Sequence, residues 1–256
     1  MRKIISHIFC VFCLILVTGC GLSEDCFKGN GTPTIQTFPL ENFTKIKVYE
    51  GIGLVIKEGP IYEVKVKTAD NILDNLEVKL EGNMLVVKDN STCNIARDYG
   101  QTKLYVTIPD GTLSPILPEL ELHCKTEQKI QSEGILHSPI VRLFSLDDSD
   151  GAGIGDFRLD LQTEQLFIES NSVSNFYLSG QSQNLHVFFW WGNGIFYGDH
   201  MNANTINFYH RGSNDMIFYP IQQIEGALYS TGNVRLTNQP TIINVSQYFT
   251  GRLIIE

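Results

Sequence analysis

The sequence is short of positive charge. It has 19 lysines and arginines against 28 aspartates and glutamates, which gives a formal net charge of −9 at pH 7. Nucleic acids and anionic lipid surfaces are bound through basic patches, so this balance argues against nucleic acid as a partner. Charged residues make up only 18% of the chain and aromatic residues 11%. The chain can therefore bury a sizeable core and does not have the composition of a disordered protein.

Catalytic and metal-binding motifs are also missing. The chain has no GxSxG elbow, HExxH helix or phosphate-binding loop, and beyond residue 20 it has no CxxC or cysteine–histidine spacing. We therefore expect no enzymatic activity, no catalytic residues and no cofactor. Asp199 next to His200, with Trp190 and Trp191 as sugar-stacking neighbours, leaves a polysaccharide-active enzyme on a β-helix as an alternative.

No apolar run is long enough to cross a bilayer comfortably. The most apolar segment, residues 4–17, has about fourteen residues, whereas a membrane helix needs roughly twenty. Two basic residues precede this segment, and VTGC at 17–20 follows it in an arrangement that resembles the lipobox of bacterial lipoproteins. We expect residues 1–19 to be a cleaved signal peptide and Cys20 to be lipidated, with an ordinary secretory signal as the alternative. Lipidation would make the membrane a partner and place the protein in the cell envelope, at the outer membrane facing the cell surface.

Residues 20–41 contain Gly, Pro and Thr without apolar periodicity, which predicts a flexible tether. Near its start, Ser23, Glu24 and Asp25 resemble the acidic surface-export signal of Bacteroidetes-type lipoproteins. A solvated linker is the alternative explanation of the same three residues.

Three cysteines remain after the lipidation position. They are Cys26, Cys93 and Cys124. Three thiols cannot all pair with one another, so an oxidising envelope allows one disulfide, and the sequence does not select its partners.

An N-terminal β region is predicted over residues 42–115. Apolar and polar residues alternate at 62–67 (YEVKVK) and at 103–108 (KLYVTI), as expected of strands with one wet face. Residues 81–83 (EGN) have the composition of a hairpin turn. Prolines concentrated between 109 and 118 mark a candidate boundary inside the fold.

Beyond residue 140 the sequence repeats itself. One series of segments starts at intervals of 19, 19, 21 and 18 residues, at Phe157, Phe176, Ile195, Met216 and Val234. A second series lies between them and starts at Leu166, Leu185, Ile206 and Ala227. Two strands in each repeat of about twenty residues are typical of a parallel β-solenoid, whose coils place their strands directly above one another. We predict an all-β fold with a right-handed solenoid over 116–256, and one continuous head over 42–256.

Alternation within the repeats assigns the two faces of these strands. The predicted interior ladders contain Leu166, Ile168, Leu185, Val187, Ile206 and Phe208 on one wall and Phe157, Leu159, Phe176, Leu178, Ile195, Tyr197, Met216 and Phe218 on the other. The outer face would carry Phe167, Phe188 and Tyr209 in one column, with Trp190 beyond. A glycan or a protein ligand could stack on these four side chains. The alternative, which we favour from the sequence, is that a second sheet or the N-terminal half covers them.

An acidic, glycine-containing segment, LDDSDGAGIGD, is the one candidate for a metal. Asp147, Asp148, Asp150 and Asp156 supply oxygen ligands at short spacing, which suits calcium. The segment lacks the EF-hand spacing and its distal glutamate, so we expect an acidic turn of the solenoid and no metal.

The whole pattern from residue 43 to 255 resembles the putative auto-transporter adhesin, head GIN domain family of Bacteroidetes lipoproteins. The resemblance rests on the opening segment 43–87, on GAGIGDF at 151–157 and on the closing segment 230–254. FFWWGNG and YHRGSND replace the Gly-Ser-Gly turns that are usual in the family. The resemblance implies a β-helical adhesin head without catalytic residues. We expect a lipid-anchored envelope protein that binds an extracellular ligand, with an envelope scaffold as a further alternative.

Overall fold

The computed structural model describes residues 23–98, 100–113 and 117–256. The expected signal peptide and Cys20 lie outside the described residues. No helix in the described part is long and apolar enough to cross a membrane.

Strands dominate the described chain, as predicted, and the only helical elements among the described residues are two short 3₁₀ turns, Glu24–Phe27 and Leu73–Asn75. The strands are β1 (Pro33–Phe38), β2 (Lys45–Tyr49), β3 (Ile52–Gly59), β4 (Glu63–Ala69), β5 (Leu76–Glu81), β6 (Met84–Asp89), β7 (Thr102–Pro109), β8 (Glu119–Lys125), β9 (Ile130–His137), β10 (Ile140–Ser145), β11 (Phe157–Ser170), β12 (Phe176–Phe189), β13 (Phe196–His210), β14 (Met216–Leu228), β15 (Val234–Leu236), β16 (Ile242–Gln247) and β17 (Leu253–Ile255).

The strands form a β-solenoid of about seven turns with roughly 21 residues per turn, which confirms the solenoid prediction. Each turn has two strands, one in each of two walls. Wall A runs β5, β6, β2, β8, β10, the second halves of β11 to β14, and β16. Wall B runs β1, β4, β7, β3, β9, the first halves of β11 to β14, β15 and β17.

Chain order and coil order differ in the N-terminal half. The turn made by β2 and β3 lies between the turn of β6 and β7 and the turn of β8 and β9. These parallel pairs join the N-terminal region to the later repeats in one sheet and one hydrophobic core.

Antiparallel strands form the N-terminal edge of both walls. In wall A the predicted turn at 81–83 connects the hairpin of β5 and β6. In wall B β1 pairs with β4, and β4 pairs with β7, both in antiparallel order. The edge strand β1 corrects one expectation, because residues 33–38 fall within the predicted flexible tether. A disulfide between Cys26 and Cys93 fixes the segment before β1, and Cys124 remains a buried free thiol.

The two walls meet across a narrow apolar core. The rings of Phe176 in wall B and Phe189 in wall A lie 5.6 Å apart, and those of Phe208 and Phe218 lie 5.8 Å apart. All six residues predicted for the wall A ladders are buried, as are six of those predicted for wall B. Each such side chain contributes roughly 1.5–3 kcal/mol when it leaves water.

Ile195 and Tyr197 are the exception to the predicted ladders. The structure instead buries Phe196 and Gly198. The turn before β13 has six residues, whereas the turns before β12 and β14 have five. Ile195 occupies the extra position at the corner, where its backbone N–H donates to Oδ1 of Asn175 at 3.1 Å. The inserted residue shifts the alternation by one.

A recurring turn sequence, glycine followed by Asn or Asp and then an apolar residue, has a structural explanation. A Cβ on Gly232 would lie 2.2 Å from the backbone oxygen of Asn214, so only glycine allows the coils to approach here. The next residue, Asn233, donates from both its backbone N and its Nδ2 to Oδ1 of Asp215 at 3.0 Å. Val234 then enters the core. The motif therefore positions one coil on the next.

Candidate functional site

A continuous row of rings crosses the outer face of wall A. We call it the aromatic stripe, and its members are Phe167, His186, Phe188, Trp190, Tyr209, Tyr229 and Tyr248. Consecutive ring centroids are separated by 4.6 Å for Phe167–His186, 6.3 Å for His186–Phe188, 5.9 Å for Phe188–Trp190, 5.1 Å for Trp190–Tyr209, 4.9 Å for Tyr209–Tyr229 and 4.7 Å for Tyr229–Tyr248. Adjacent strands are about 4.8 Å apart, so the stripe extends for about 19 Å along the solenoid.

The rings are in this row because the parallel coils keep their register. Phe188 lies opposite Tyr209, as predicted. Phe167 lies opposite His186 and therefore belongs to the neighbouring column of the same face, which corrects the predicted single column. The two columns connect through the contact of His186 with Phe188. The stripe is thus diagonal.

The stripe faces outward, contrary to the covered arrangement that the sequence favoured. Its middle members are half-buried, and the exposed fractions of Trp190, Tyr229 and Tyr248 are 38%, 41% and 64%. The middle rings are partly buried because neighbouring rings of the stripe pack against their sides. Tyr229 and Tyr248 were missed because they come one position after their strands end, where strand alternation does not assign a face.

Two rings of the stripe, Phe167 and Trp190, have polar anchors. The Arg142 guanidinium lies over the ring of Phe167, 4.3 Å from its centroid. Nε1 of Trp190 donates to Oε2 of Glu169 at 3.2 Å, which holds the indole in place. Burial lowers the pKa of His186, so this ring is neutral at pH 7 and stacks as an uncharged ring.

Amide and carboxylate side chains border the stripe in the adjacent columns of wall A. Nδ2 of Asn207 donates to Oε1 of Glu225 at 2.9 Å, and Nε2 of Gln223 donates to its other oxygen at 3.2 Å. Oγ1 of Thr205 donates to Oδ1 of Asn184 at 2.7 Å. These groups add hydrogen-bonding capacity directly beside a row of rings.

Asp199 and His200 do not join this surface. They lie in the first half of β13, in wall B, and the side chain of His200 is 82% exposed. Trp190 packs on wall A and Trp191 lies in the turn between the walls. The pairing of a carboxylate and an imidazole with sugar-stacking tryptophans, which motivated the enzyme alternative, is absent from the described residues.

The acidic segment folds around an internal cation. The buried ammonium of Lys125 donates to the backbone oxygens of Leu146 and Gly151 at 2.7 and 2.8 Å and to Oδ1 of Asp148 at 2.6 Å. This interaction with Lys125 holds the pKa of Asp148 below its usual value. A lysine thus occupies the position that a calcium-loop arrangement would give to a metal ion.

The other three carboxylates of the segment point to different partners. Asp150 accepts from Nζ of Lys47 and from the hydroxyl of Tyr49, each at 2.8 Å. Asp156 accepts from Nδ2 of Asn175 at 3.0 Å, and Asp147 is exposed. The four aspartates that were candidate calcium ligands therefore do not converge.

Within the described residues, Glu58, Asp110 and His137 come close enough for one metal ion to be shared among them. Both oxygens of Glu58 are already hydrogen-bonded to His137, one to its backbone N at 2.6 Å and the other to Nδ1 at 2.9 Å. This pairing explains the cluster as a structural link between β3 and β9.

Comparison with known proteins identifies a family for this chain. The model of a family described as "Putative auto-transporter adhesin, head GIN domain" matches residues 42–240. The chain belongs to this family. No curated protein matches the sequence of this GIN-domain chain.

Three crystal structures share the fold of this GIN-domain chain. A putative adhesin from Bacteroides fragilis has 19% identity and a TM-score of 0.75, over 88% of this chain and 97% of the other. A putative adhesin from Parabacteroides merdae has 10% identity and a TM-score of 0.61, over 88% and 98%. A putative lipid binding protein from Parabacteroides distasonis has 16% identity and a TM-score of 0.57, over 88% and 98%. At these identities the likeness shows the fold alone.

Proposed function

We propose that this chain is a lipid-anchored adhesin of the cell envelope, and that its aromatic stripe binds a polysaccharide. The single observation that carries the proposal is the unbroken row of seven rings on an outer face of a rigid solenoid. A contiguous apolar patch on the surface of a soluble protein often marks a binding site. Adhesin relatives support a surface-binding protein.

A polysaccharide fits the stripe better than a folded protein partner. Its sugar rings have flat C–H faces that pack on aromatic faces, and its hydroxyls need hydrogen bonds from the side. The stripe supplies rings along about 19 Å, and Asn207, Gln223 and Glu225 supply planar polar groups beside them. Formal charges are few on this face, which favours a neutral or weakly charged glycan.

A glycan array with the purified protein tests the proposal, followed by titration of the best glycan against two double variants. Trp190→Ala with Tyr209→Ala removes the middle of the stripe. Tyr177→Ala with Tyr197→Ala is the matched control, because these rings stack at 4.5 Å on wall B. Removal of two central aromatic side chains from an interface costs more than about 1 kcal/mol each, so binding should weaken at least tenfold. An array without binding, or equal weakening in both variants, would contradict the proposal.

Lipid anchoring at Cys20 has a separate test. A diacylated cysteine buries enough CH₂ groups, at about 0.8 kcal/mol each, for stable attachment. Cys20→Ala should move the protein from the membrane fraction to the soluble fraction and abolish incorporation of labelled fatty acid, while Cys124→Ala should change neither. Continued partitioning of the Cys20→Ala variant with membranes would exclude the lipid as the main anchor. Protease treatment of intact cells would then report whether the head is on the outside.

A further inference from the structure

Five lysines gather on the outer face of wall B in the N-terminal half, away from the aromatic stripe. They are Lys57, Lys65, Lys67, Lys103 and Lys129. They belong to strands β3, β4 and β7 and to the residue just before β9. The whole chain contains only 19 lysines and arginines and has a net charge of −9, so this patch is opposite in sign to the rest of the molecule.

The patch is concave. Two adjoining depressions of about 320 and 330 Å³ share Val55. The first is lined by Lys57, Lys65 and Lys67, and the second by Lys103 and Lys129. Each volume reaches the lower range of ligand pockets, which begins at about 300 Å³. Together they form a groove across the strands.

An aromatic ring lies between the lysines. Tyr105 of β7 is opposite Lys65 on one side and opposite Val55 on the other. Tyr105 also lines the first depression, and it is half-buried. The floor of the groove is therefore apolar and the ammonium groups surround it.

Two of the lysines face each other directly. Lys67 and Lys103 are paired in the antiparallel ladder of β4 and β7. Like charges in directly opposite positions destabilise a sheet. The fold tolerates this pair without a carboxylate between them, and an anion bound across the two ammonium groups would remove the repulsion.

Carboxylates of the neighbourhood leave most of these lysines unneutralised. Glu63 forms an ion pair with Lys65 at 2.7 Å. Glu127 accepts from the backbone N of Gly51 and from Gln128, and Glu133 lines the rim of the first depression. Among the described residues, no carboxylate oxygen lies within 4.0 Å of the four remaining ammonium groups. These are Lys57, Lys67, Lys103 and Lys129.

We propose that this groove binds an acidic polysaccharide that carries carboxylate or sulfate groups. A polymer places anionic groups at regular intervals on sugar rings, which matches ammonium groups distributed along and across strands around the ring of Tyr105. Lys65 and Lys67 are about 6.8 Å apart on one face of β4, and neighbouring strands are about 4.8 Å apart. A narrow chain can enter the groove, whereas a flat anionic membrane would also meet the acidic surface around it. The site is on a different wall from the stripe and does not depend on the proposed function.

Binding of heparin and polygalacturonate to the purified protein tests the inference, with neutral dextran and vesicles containing phosphatidylglycerol as comparison ligands. Lys67→Gln with Lys103→Gln should raise the dissociation constant for at least one of the two polymers tenfold or more. Lys79→Gln with Lys88→Gln removes the same charge from the β5–β6 hairpin and should change it less than twofold. Affinity should also fall steeply between 0.1 and 1 M salt, because the Debye length shrinks from about 10 Å to 3 Å.

Folding and site specificity have their own readouts in this experiment. The Lys67/Lys103 variant should melt at the wild-type temperature or above it, because a like-charge pair is gone. Heparin or polygalacturonate should raise the melting temperature of the wild type more than that of the variant. The Trp190/Tyr209 variant should bind the acidic polymer as the wild type does. Absence of binding to both polymers, equal binding of dextran, equal weakening in the Lys79/Lys88 control, or binding to the vesicles alone would overturn the inference.

Discussion

Asn175 is hydrogen-bonded to Asp156 across the boundary between two coils, with Nδ2 donating to Oδ1 at 3.0 Å. The carbonyl oxygen of the same amide accepts from the backbone N–H of the following coil at 3.1 Å. One side chain thus connects three consecutive coils. The same corner position is occupied by Asp215 and Asn233 in later coils.

Replacement of Asn175 by alanine should lower the free energy of unfolding by about 1–3 kcal/mol, because it leaves partly buried partners in two coils unsatisfied. Chemical denaturation followed by circular dichroism measures this change. Asn244→Ala is the control, since Asn244 is exposed on the edge strand β16, and it should have almost no effect. Equal stabilities of the two variants would show that the corner amides do not connect the coils.

Gly232→Ala should be more destabilising than Asn175→Ala. The new Cβ would lie 2.2 Å from the oxygen of Asn214 and 2.4 Å from Nε2 of His210, so the coils must move apart. Overpacking of this kind typically costs 1–3 kcal/mol or more. Gly29→Ala serves as the control because nothing lies within 4 Å of its Cβ position. A thermal melt of Gly232→Ala within 1 °C of the wild type would contradict the close approach.

His210 should make stability depend on pH. Its ring is fully buried, and neither ring nitrogen makes a hydrogen bond of ordinary geometry. Burial lowers the pKa of His210 from 6.5 to about 4. The backbone of Asn214 and the charge of Asp215 raise this pKa and offset the effect of burial only in part. The unfolded chain therefore takes up this proton more readily than the folded chain. The contribution of the neutral His210 ring to the free energy of unfolding is fully present above pH 6.5 and is lost as the pH falls towards 4.

Unfolding free energies at pH 7 and pH 4 check this expectation. The wild type should lose roughly 3 kcal/mol more than His210→Leu over that range. His200→Leu, at an exposed position, should follow the wild type, and losses from carboxylates and from other histidines appear in all three proteins. Parallel pH curves for wild type and His210→Leu would mean that the buried ring is not the titrating group.

The cysteines should behave as one disulfide and one protected thiol. In the chain from residue 21 onward, a thiol reagent should find no reactive group in the native protein and one after denaturation, from Cys124. Burial also raises the pKa of this thiol and so keeps it protonated. Two or more thiols after denaturation without reductant would contradict the Cys26–Cys93 pair.

Loss of that disulfide should destabilise the segment it closes. The bonded cysteines are 67 residues apart, and a disulfide that closes a loop typically raises the free energy of unfolding by about 2–4 kcal/mol. Cys26→Ser with Cys93→Ser should therefore lower stability and open residues before β1 to proteolysis, whereas the repeats from β11 onward should stay resistant.

The repeats could be predicted from the sequence because a solenoid coil is specified by local alternation. Leu166, Leu185 and Ile206 recur at the coil length, and all three are buried in successive strands. The same logic failed at Ile195, since one extra turn residue reverses the assignment of the first residues of β13. A register shift later in the strand restores the predicted alternation at Ile206 and Phe208. Period alone does not reveal where such a residue is inserted.

Relationships between distant segments were beyond the sequence. Lys67 and Lys103 become neighbours only through the pairing of β4 with β7, and no periodicity in either segment indicates that pair. Lys125 lies 23 residues before Asp148, and nothing in the acidic segment itself shows that a lysine will fill it. The predicted cover over the stripe was wrong for a related reason, because alternation distinguishes inside from outside but does not say what packs on the outside.

The position of β2 and β3 in the middle of three turns has a consequence for how the molecule forms. β2 can pair with β8 only after a long loop has closed, because Lys45 of β2 and its partner Glu121 of β8 are 76 positions apart. Strands of the later coils pair with segments only about 20 positions away. Contacts between distant positions form slowly, because the chain must close a long loop before they stabilise it. The C-terminal coils can therefore assemble as local units, and the N-terminal half has to be completed around a strand that was synthesised early and incorporated late.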